Sequence, residues 1–142
     1  METYNGAGIA LFKKTSEGFS ILLGKRQNRP GIGKWSIFGG KREKYDKTSF
    51  ENAKREFKEE SRLSLESLNA KQVGECHLRF PFFKWDTFLY EVQEDFEIPS
   101  NYCDEFSDMR FILLKDLKKY KLAIGVRKEV RAFQKSSDTK ER

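Results

Sequence analysis

The sequence predicts an α/β sandwich built from several short strands and two helices. Two patterns support this: apolar runs alternate with turn residues along the chain, and two segments carry apolar residues at helical spacing. With 142 residues, of which 14% are aromatic and 35% charged, the chain can bury a sizeable core. We expect a single domain over residues 1–135 and a polar tail over residues 136–142.

The strands come from apolar runs that turn residues separate. A polar turn at 13–18 predicts a hairpin between the first two strands, and residues 28–34, with one proline and two glycines, predict a loop. Gly39 and Gly40 are predicted to end the third strand, before a charged loop over 41–47. In chain order, the predicted strands are 8–12, 19–24, 35–38, 73–80, 84–92 and 109–114.

Two segments have the apolar periodicity of helices. Residues 49–61 are predicted to form a helix that Thr48 or Ser49 caps, and residues 122–134 are predicted to form the second. Their core-facing side chains are expected to be Phe50, Ala53 and Phe57 in the first helix, and Ala123, Val126, Val130 and Phe133 in the second.

Composition narrows the classes of function. The net charge of +6 comes from residues 115–135, which form either a solvated helix face or a surface for an anion or RNA. The sole histidine, His77, excludes His-based zinc sites and disfavours a Ser-His-Asp triad. Cys76 and Cys103 lack metal-ligand spacing, so we expect reduced thiols and a cytoplasmic location. No signal peptide and no membrane span are expected.

The first helix contains Arg55-Glu-Phe-Lys-Glu-Glu60, with three carboxylates in five residues. Glu56 and Glu60 are an i, i+4 pair of like charges, which destabilises an isolated helix by roughly 0.2–0.5 kcal/mol. They also lie near the helix C-terminus, where the helix dipole disfavours anions. Either this is a solvated acidic face, or its oxygens bind a divalent cation such as Mg²⁺ or Mn²⁺ together with substrate phosphates.

The residues around these carboxylates resemble the Nudix hydrolase signature, G-x5-E-x7-R-E-U-x-E-E-x-G-U, where U is a bulky aliphatic residue. Trp35 and Gly39-Gly40 precede the helix, residues 55–60 match R-E-U-x-E-E, and Leu63 supplies the last U. The runs ILLGKR and EFSDMRFILLKDL are also similar to the family. The resemblance covers about residues 8–117 and implies a Nudix-type α/β/α sandwich with a mixed sheet.

Three positions depart from the signature. Arg62 stands where the family has glycine, at a helix end that favours positive φ, so we expect backbone strain there. Phe38 stands where proline commonly precedes the glycines. The segment before Arg55 is one residue longer than the pattern, so the first glutamate of the signature falls on Lys47 or on Asp46. Only Asp46 could take over the role of orienting the arginine.

The resemblance implies cleavage of a nucleoside diphosphate linked to another group. Glu56, Glu59, Glu60 and the Gly39 carbonyl would hold Mg²⁺ or Mn²⁺, and Arg55 would orient the carboxylates. Glu56 is one candidate for the general base, and an acid in the 104–108 loop is another, with Glu105 preferred. The alternative is a catalytically silent module that binds nucleotide or RNA.

Several residues are candidates for substrate contact. Arg26 either binds a phosphate or is an exposed arginine at a strand end. Lys41 could contact the substrate, and Trp35 is either a core residue or a ligand platform. Along residues 84–92, strand alternation places Trp85, Thr87 and Leu89 on one face, with Asp86, Phe88 and Tyr90 on the other. Neither the oligomeric state nor the choice among a modified dNTP, a nucleotide sugar, a dinucleoside polyphosphate and a capped RNA end is readable.

Overall fold

A seven-stranded mixed sheet forms the centre of the protein in a computed structural model, which describes residues 2–100 and 103–140. Two α-helices accompany it, α1 (Ser49–Ser61) and α2 (Val126–Lys140), with short 3-10 helices at Leu65–Ser67 and Leu114–Lys119. The strands are β1 (Tyr4–Thr15), β2 (Gly18–Arg26), β3 (Trp35–Ser36), β4 (Phe38–Lys41), β5 (Ala70–Phe80), β6 (Phe83–Val92) and β7 (Phe106–Leu113).

Strand β1 organises the sheet because it pairs with three neighbours. It runs parallel to β6 along one edge. Along its other edge the first half pairs antiparallel with β4, and the second half pairs antiparallel with β2. Strand β2 continues outward to β3 and β7, and β5 pairs with β6, all antiparallel. The mixture confirms the predicted mixed sheet.

Each face of the sheet carries its own hydrophobic core. Phe133 and Val126 of α2 pack on one face, where the Phe133 ring stacks on Phe12 at a centroid distance of 3.8 Å. Ala53 and Phe57 of α1 pack on the other face. The two helices therefore cover opposite faces, which confirms the α/β/α sandwich. Strand β6 alternates as predicted, since Leu89 belongs to the α2 side whereas Phe88 and Tyr90 belong to the α1 side.

Helix α1 has the predicted bounds. The Glu51 amide donates to the hydroxyl of its N-cap, Thr48 (3.1 Å), and the Lys47 amide donates back to the Glu51 carboxylate (3.1 Å). The helix ends at Arg62, which has φ 65° and ψ 18° and donates its amide to the Lys58 carbonyl at 3.0 Å. The left-handed conformation expected at Arg62 is thus present.

Strand β4 differs from the sequence prediction, because Gly39 and Gly40 lie inside it rather than ending it. A Cβ at Gly39 would lie 2.5 Å from the Ala7 carbonyl oxygen, and one at Gly40 would lie 2.5 Å from the Glu56 carboxyl carbon. The glycines therefore permit close approach of β1 and α1 instead of breaking the chain.

Helix α2 begins at Val126 rather than at residue 122 and continues to Lys140. Leu122 instead forms a bridge with Trp35, and the Ala123 amide donates to the Trp35 carbonyl at 2.9 Å. Gly125, with φ 97°, then turns the chain into the helix. Most predicted strands are a few residues too short, and the predicted tail lies partly outside the described residues. No helix in the described ranges is long and apolar enough to cross a membrane.

Candidate active site

Glu60 is the most deeply buried carboxylate of the motif, with 6% of its surface exposed. Phe57 faces the core on the same helix and turns Glu60 toward β4, where Gly39 donates its amide hydrogen to the carboxylate at 2.8 Å. Burial, together with a hydrogen bond to the Glu105 side chain, raises the pKa of Glu60 to about 9. The Glu105 loop therefore closes over the end of α1.

Glu56 lies one turn earlier and is partly buried against Gly40. Its carboxylate accepts a hydrogen bond from Arg55 Nη1 at 2.9 Å. Burial raises the pKa of Glu56, the Arg55 guanidinium opposes that shift, and the charges of Glu59 and Glu105 reinforce it. Glu59 and Glu105 are therefore close enough to disfavour the charged form of Glu56.

Arg55 connects the helix to the loop before it. Its Nε and Nη2 donate to the two oxygens of Asp46 at 2.9 and 2.7 Å, and Nη2 also donates to the Lys41 carbonyl at 3.1 Å. The hydrogen bonds from Arg55 lower the pKa of Asp46, whose side chain is nearly buried. Of the two candidates for the first glutamate of the signature, it is the Asp46 side chain, rather than that of Lys47, that accepts hydrogen bonds from Arg55.

Glu59 lies at the rim of the group, with 55% of its side chain exposed and Arg55 Nη1 at 3.3 Å. Within residues 2–100 and 103–140, no three acidic, histidine or cysteine side chains are gathered as a preformed metal cluster. The charge of Glu105 nevertheless adds to the raised pKa of both Glu56 and Glu60, and hard carboxylate oxygens are the ligands that Mg²⁺ and Mn²⁺ prefer. These residues have the chemistry that a divalent cation requires, although Arg55 is hydrogen-bonded to Glu56 and Glu59.

Tyr4, at the start of β1, is a residue that the sequence reasoning missed. Burial raises the pKa of its phenol, and the charges of Glu56 and Glu60 add to the shift. Its ring stacks on Phe83 with centroids 5.5 Å apart, and Phe83 stacks in turn on Trp85 at 6.4 Å. Nothing in the sequence around Tyr4 indicates that this tyrosine lies near the carboxylates.

Two adjoining cavities lie beside the carboxylates. The larger has a volume of about 590 Å³ and the smaller about 140 Å³. Both are lined by Arg26, Ser36, Phe83 and Ile124, and the smaller also reaches Gly39, whose amide donates to Glu60. The cavities and the carboxylates therefore share a wall.

The three predicted substrate contacts occupy different environments. Arg26 lines both cavities and donates its Nε to the Pro30 carbonyl at 2.8 Å. Trp35 is a core residue, 6% exposed, with its ring edge-on to Tyr120, so its position does not support the ligand-platform interpretation. Lys41 is exposed at the end of β4, and its carbonyl supports Arg55.

Glu129 is a second residue that the sequence reasoning missed. It lies on α2 with 2% of its surface exposed, lines the smaller cavity and accepts a hydrogen bond from Thr87. Burial raises the pKa of Glu129 to about 8. A sequence signal did exist, because Glu129 lies between Val126 and Val130 within the apolar stripe of the predicted helix.

Comparison with known proteins gives one family match and several similar structures. The family model of the NUDIX domain matches residues 3–133. No curated protein sequence matches. The NUDIX domain of Shewanella oneidensis NrtR, solved with ADP ribose, superposes with a TM-score of 0.73 at 17% identity over 95% of this chain and 88% of that chain.

Two further structures share the fold. The Ap4A hydrolase of C. elegans, solved as a binary complex, superposes with a TM-score of 0.74 at 16% identity over 93% of this chain and 96% of that one. A bifunctional NMN adenylyltransferase/ADP ribose pyrophosphatase from Francisella tularensis, solved with AMP and a Mn ion, gives 0.75 at 19% identity over 94% of this chain and 42% of that one.

Proposed function

The chain belongs to the Nudix hydrolase family, whose members act on phosphoric anhydride bonds, and we propose that it hydrolyses a nucleoside diphosphate linked to another moiety in a divalent-metal-dependent reaction. The observation that supports this is the convergence of Glu56, Glu60 and Glu105 beside Gly39. Neighbouring carboxylates form a group whose negative charge a bound cation would neutralise.

Glu56, Glu59 and Glu60, with the Gly39 carbonyl, are the proposed metal ligands. When bound there, Mg²⁺ or Mn²⁺ supplies charge neutralisation to the pyrophosphate group of the substrate. Arg55 holds Glu56 and Glu59 in place, and Asp46 holds Arg55 through both carboxylate oxygens. A network of this kind fixes the carboxylate positions before substrate arrives.

The attacking group is a water molecule whose oxygen bonds to phosphorus as the anhydride P–O bond breaks. Glu105 is the proposed acceptor of the water proton, and Glu56 is the second candidate. Glu105 lies on an exposed loop and reaches the buried Glu60 side chain, so it touches the site while staying open to solvent. Arg26, at the wall that the carboxylates share with the cavities, is the proposed phosphate contact.

The first substrates to test are adenine nucleotide derivatives, because structural neighbours were solved with ADP ribose and AMP or are Ap4A hydrolases. A capped RNA end is the alternative substrate, which the basic 115–135 segment would favour. We further propose a cytoplasmic location, in keeping with the free thiols of Cys76 and Cys103.

The test is chromatographic detection of the two phosphorylated products of anhydride cleavage, with a panel that contains ADP-ribose, Ap4A, a modified dNTP, a nucleotide sugar and a capped RNA, each with Mg²⁺ or Mn²⁺. We expect metal-dependent turnover of at least one compound. Glu60→Gln should lower kcat/KM by roughly a hundredfold or more, equivalent to about 3 kcal/mol. Glu97→Gln, an exposed loop position, is the control and should retain wild-type rates. Absence of metal-dependent turnover across the panel would contradict the proposal.

A further inference from the structure

A further cavity, which is polar, lies between the first turn of α1 and the starts of β1 and β6. It has a volume of about 220 Å³, and none of its lining residues lines either cavity beside the carboxylates. Its charged lining residues, which define the basic cleft, are Arg42, Arg79, Lys84 and Asp86. Three cations and one carboxylate leave an excess of two positive charges. The start of a helix and an excess of cations both favour an anion.

The register of the strands brings the three cations of the basic cleft together. Arg79 of β5 lies directly opposite Lys84 of β6, and Lys84 lies opposite Asn5 of β1. Arg42 continues this row, because its amide donates to the Asn5 carbonyl at 2.8 Å. Like charges directly opposite each other destabilise a pair of strands, so strand pairing does not explain the row. A bound anion would offset the repulsion.

Ion pairing within the protein neutralises one of these three cations. The Asp86 carboxylate accepts a hydrogen bond from Arg79 Nη2 at 2.7 Å. Arg42 instead donates to two backbone carbonyls of its own loop, at 3.3 and 2.9 Å. Lys84 has no ion pair in the part of the chain that the structure describes. Arg42 and Lys84 therefore retain charge for a ligand.

Asn52 adds a hydrogen-bond acceptor to the lining of the basic cleft. It is 1% exposed, and its Nδ2 donates to the Gly40 carbonyl at 3.2 Å, which fixes Oδ1 as the acceptor. Among the described residues, this buried Oδ1 has no hydrogen-bond partner. A buried acceptor without a partner costs free energy, and a ligand that donates a hydrogen bond would recover it.

We propose that the basic cleft binds a sugar phosphate at a site separate from the carboxylates. Arg42 and Lys84 bind the phosphate group, and a hydroxyl of the sugar donates to Asn52 Oδ1. The cleft is smaller than the roughly 300–1,000 Å³ of pockets for drug-sized ligands, so its volume suits a ligand of this size. The inference goes beyond the proposed function, because binding here requires neither the metal nor turnover.

Binding without metal locates the site. Backbone amide chemical shifts are measured by NMR in titrations with ribose 5-phosphate and with ethyl phosphate, which lacks hydroxyl groups, with EDTA present. We expect the largest shifts at residues 5–6, 49–52 and 84–86, and about fivefold tighter binding of ribose 5-phosphate. Shifts centred on residues 26–36 instead, or equal affinity for the two phosphates, would overturn the proposal.

Three variants separate the basic cleft from the net charge of the molecule. Arg42→Gln and Lys84→Gln each remove one cation from the cleft and should weaken ribose 5-phosphate by about tenfold. Lys71→Gln removes the same charge from an exposed position of β5 outside the cleft, and should change the affinity by less than about twofold. Equal losses in all three variants would mean that the ligand responds to net charge alone, which would refute the site.

Thermal unfolding excludes misfolding as the cause of weaker binding. Lys84→Gln relieves the repulsion with Arg79, so without ligand this variant should be at least as stable as the wild type. Ribose 5-phosphate should raise the Tm of the wild type and of Lys71→Gln, and should raise that of Lys84→Gln much less. An equal rise in all three proteins would contradict binding in the basic cleft.

Discussion

Two buried carboxylates, one on each side of the sheet, have opposite protonation behaviour. Asp46, before α1, and Glu129, on α2, are 6% and 2% exposed, so burial is nearly equal. The pKa of Asp46 is lowered because Arg55 donates two hydrogen bonds to it, whereas burial raises the pKa of Glu129 to about 8 and the hydrogen bond from the Thr87 hydroxyl only partly opposes that shift. The guanidinium partner therefore outweighs the effect of burial at Asp46, whereas the hydroxyl partner does not outweigh it at Glu129.

The same contrast distinguishes the two functional regions. In the carboxylate region, a guanidinium forms ion pairs with three acids, and two further acids share a hydrogen bond; the region consists of Asp46, Arg55, Glu56, Glu59, Glu60 and Glu105. In the cavity region, around Phe83 and Glu129, apolar walls enclose a single acid. Clustered charges suit the binding of a cation and phosphates, whereas an apolar enclosure with few polar groups suits an uncharged, largely apolar group.

The largest expected effect is the pH dependence of stability that Glu129 creates. The pKa rises from 4.5 in the unfolded chain to about 8 in the native state, so the native state binds the proton more tightly. The free energy of unfolding should therefore fall as pH rises from 4.5 to 8 and level off above that. At about 1.4 kcal/mol per pKa unit, the loss is at most about 5 kcal/mol.

Glu129→Gln tests this difference because glutamine keeps the shape but cannot ionise. Urea unfolding of the wild type and the variant at pH 5, 7 and 9 should give similar stabilities at pH 5 and a variant that is more stable by several kcal/mol at pH 9. All other titrating groups are common to both proteins. Parallel stability curves would mean that Glu129 is not protonated in the native state.

The second effect concerns Asp46. Replacing it by asparagine removes a charge partner from Arg55 and should lower the free energy of unfolding by about 2–3 kcal/mol. It should also reduce kcat/KM by roughly tenfold, because Arg55 would no longer hold Glu56 in place. Chemical denaturation and steady-state kinetics measure the two quantities.

Lys47→Met is the matched control for Asp46→Asn. Lys47 is the other residue that could align with the first glutamate of the signature, and its exposed side chain should change stability by less than about 0.5 kcal/mol. If Lys47→Met were as damaging as Asp46→Asn, the assignment of Asp46 to the orienting role would fail.

Sequence reasoning predicted the carboxylate region far better than the cavity region. Periodicity and motif spacing were sufficient to predict the bounds of α1, its core face and the position of its three glutamates. These features depend only on residues within a few helical turns. The choice between Asp46 and Lys47 remained open because it depends on the path of a loop. The left-handed conformation of Arg62 was predictable from its place at a helix end.

The cavity was not predictable because its walls are far apart in the sequence. Arg26, Phe83 and Glu129 meet only through the parallel pairing of β1 with β6 and the packing of α2, and no local pattern shows either. Gly39 and Gly40 were misread for the same reason, since their role comes from the close approach of β1 and α1. The sequence does show Glu129 as an acid within an apolar stripe, but it does not show that Thr87 is its hydrogen-bond partner.

The smallest expected effect is on stability and concerns Arg62, where two substitutions separate the contribution of the backbone conformation from that of the side-chain charge. Arg62 ends the helix that carries the three glutamates, in a left-handed conformation that costs a residue with a Cβ roughly 1 kcal/mol. Arg62→Gly should therefore be more stable than Arg62→Ala by about 1 kcal/mol, because both variants lose the arginine side chain and only one retains Cβ. Thermal and urea unfolding compare the two directly.

Activity should respond differently from stability in these variants. The Arg62 amide bonds to the Lys58 carbonyl in either variant, so Glu59 and Glu60 should keep their positions and kcat/KM should stay within about twofold of wild type. If Arg62→Gly is more stable than Arg62→Ala and neither variant changes kcat/KM, the arginine at this position affects the backbone conformation of the helix end and not the reaction. A large rate loss in both variants would instead give the Arg62 side chain a part in catalysis, and the carboxylate region would then extend past the end of α1.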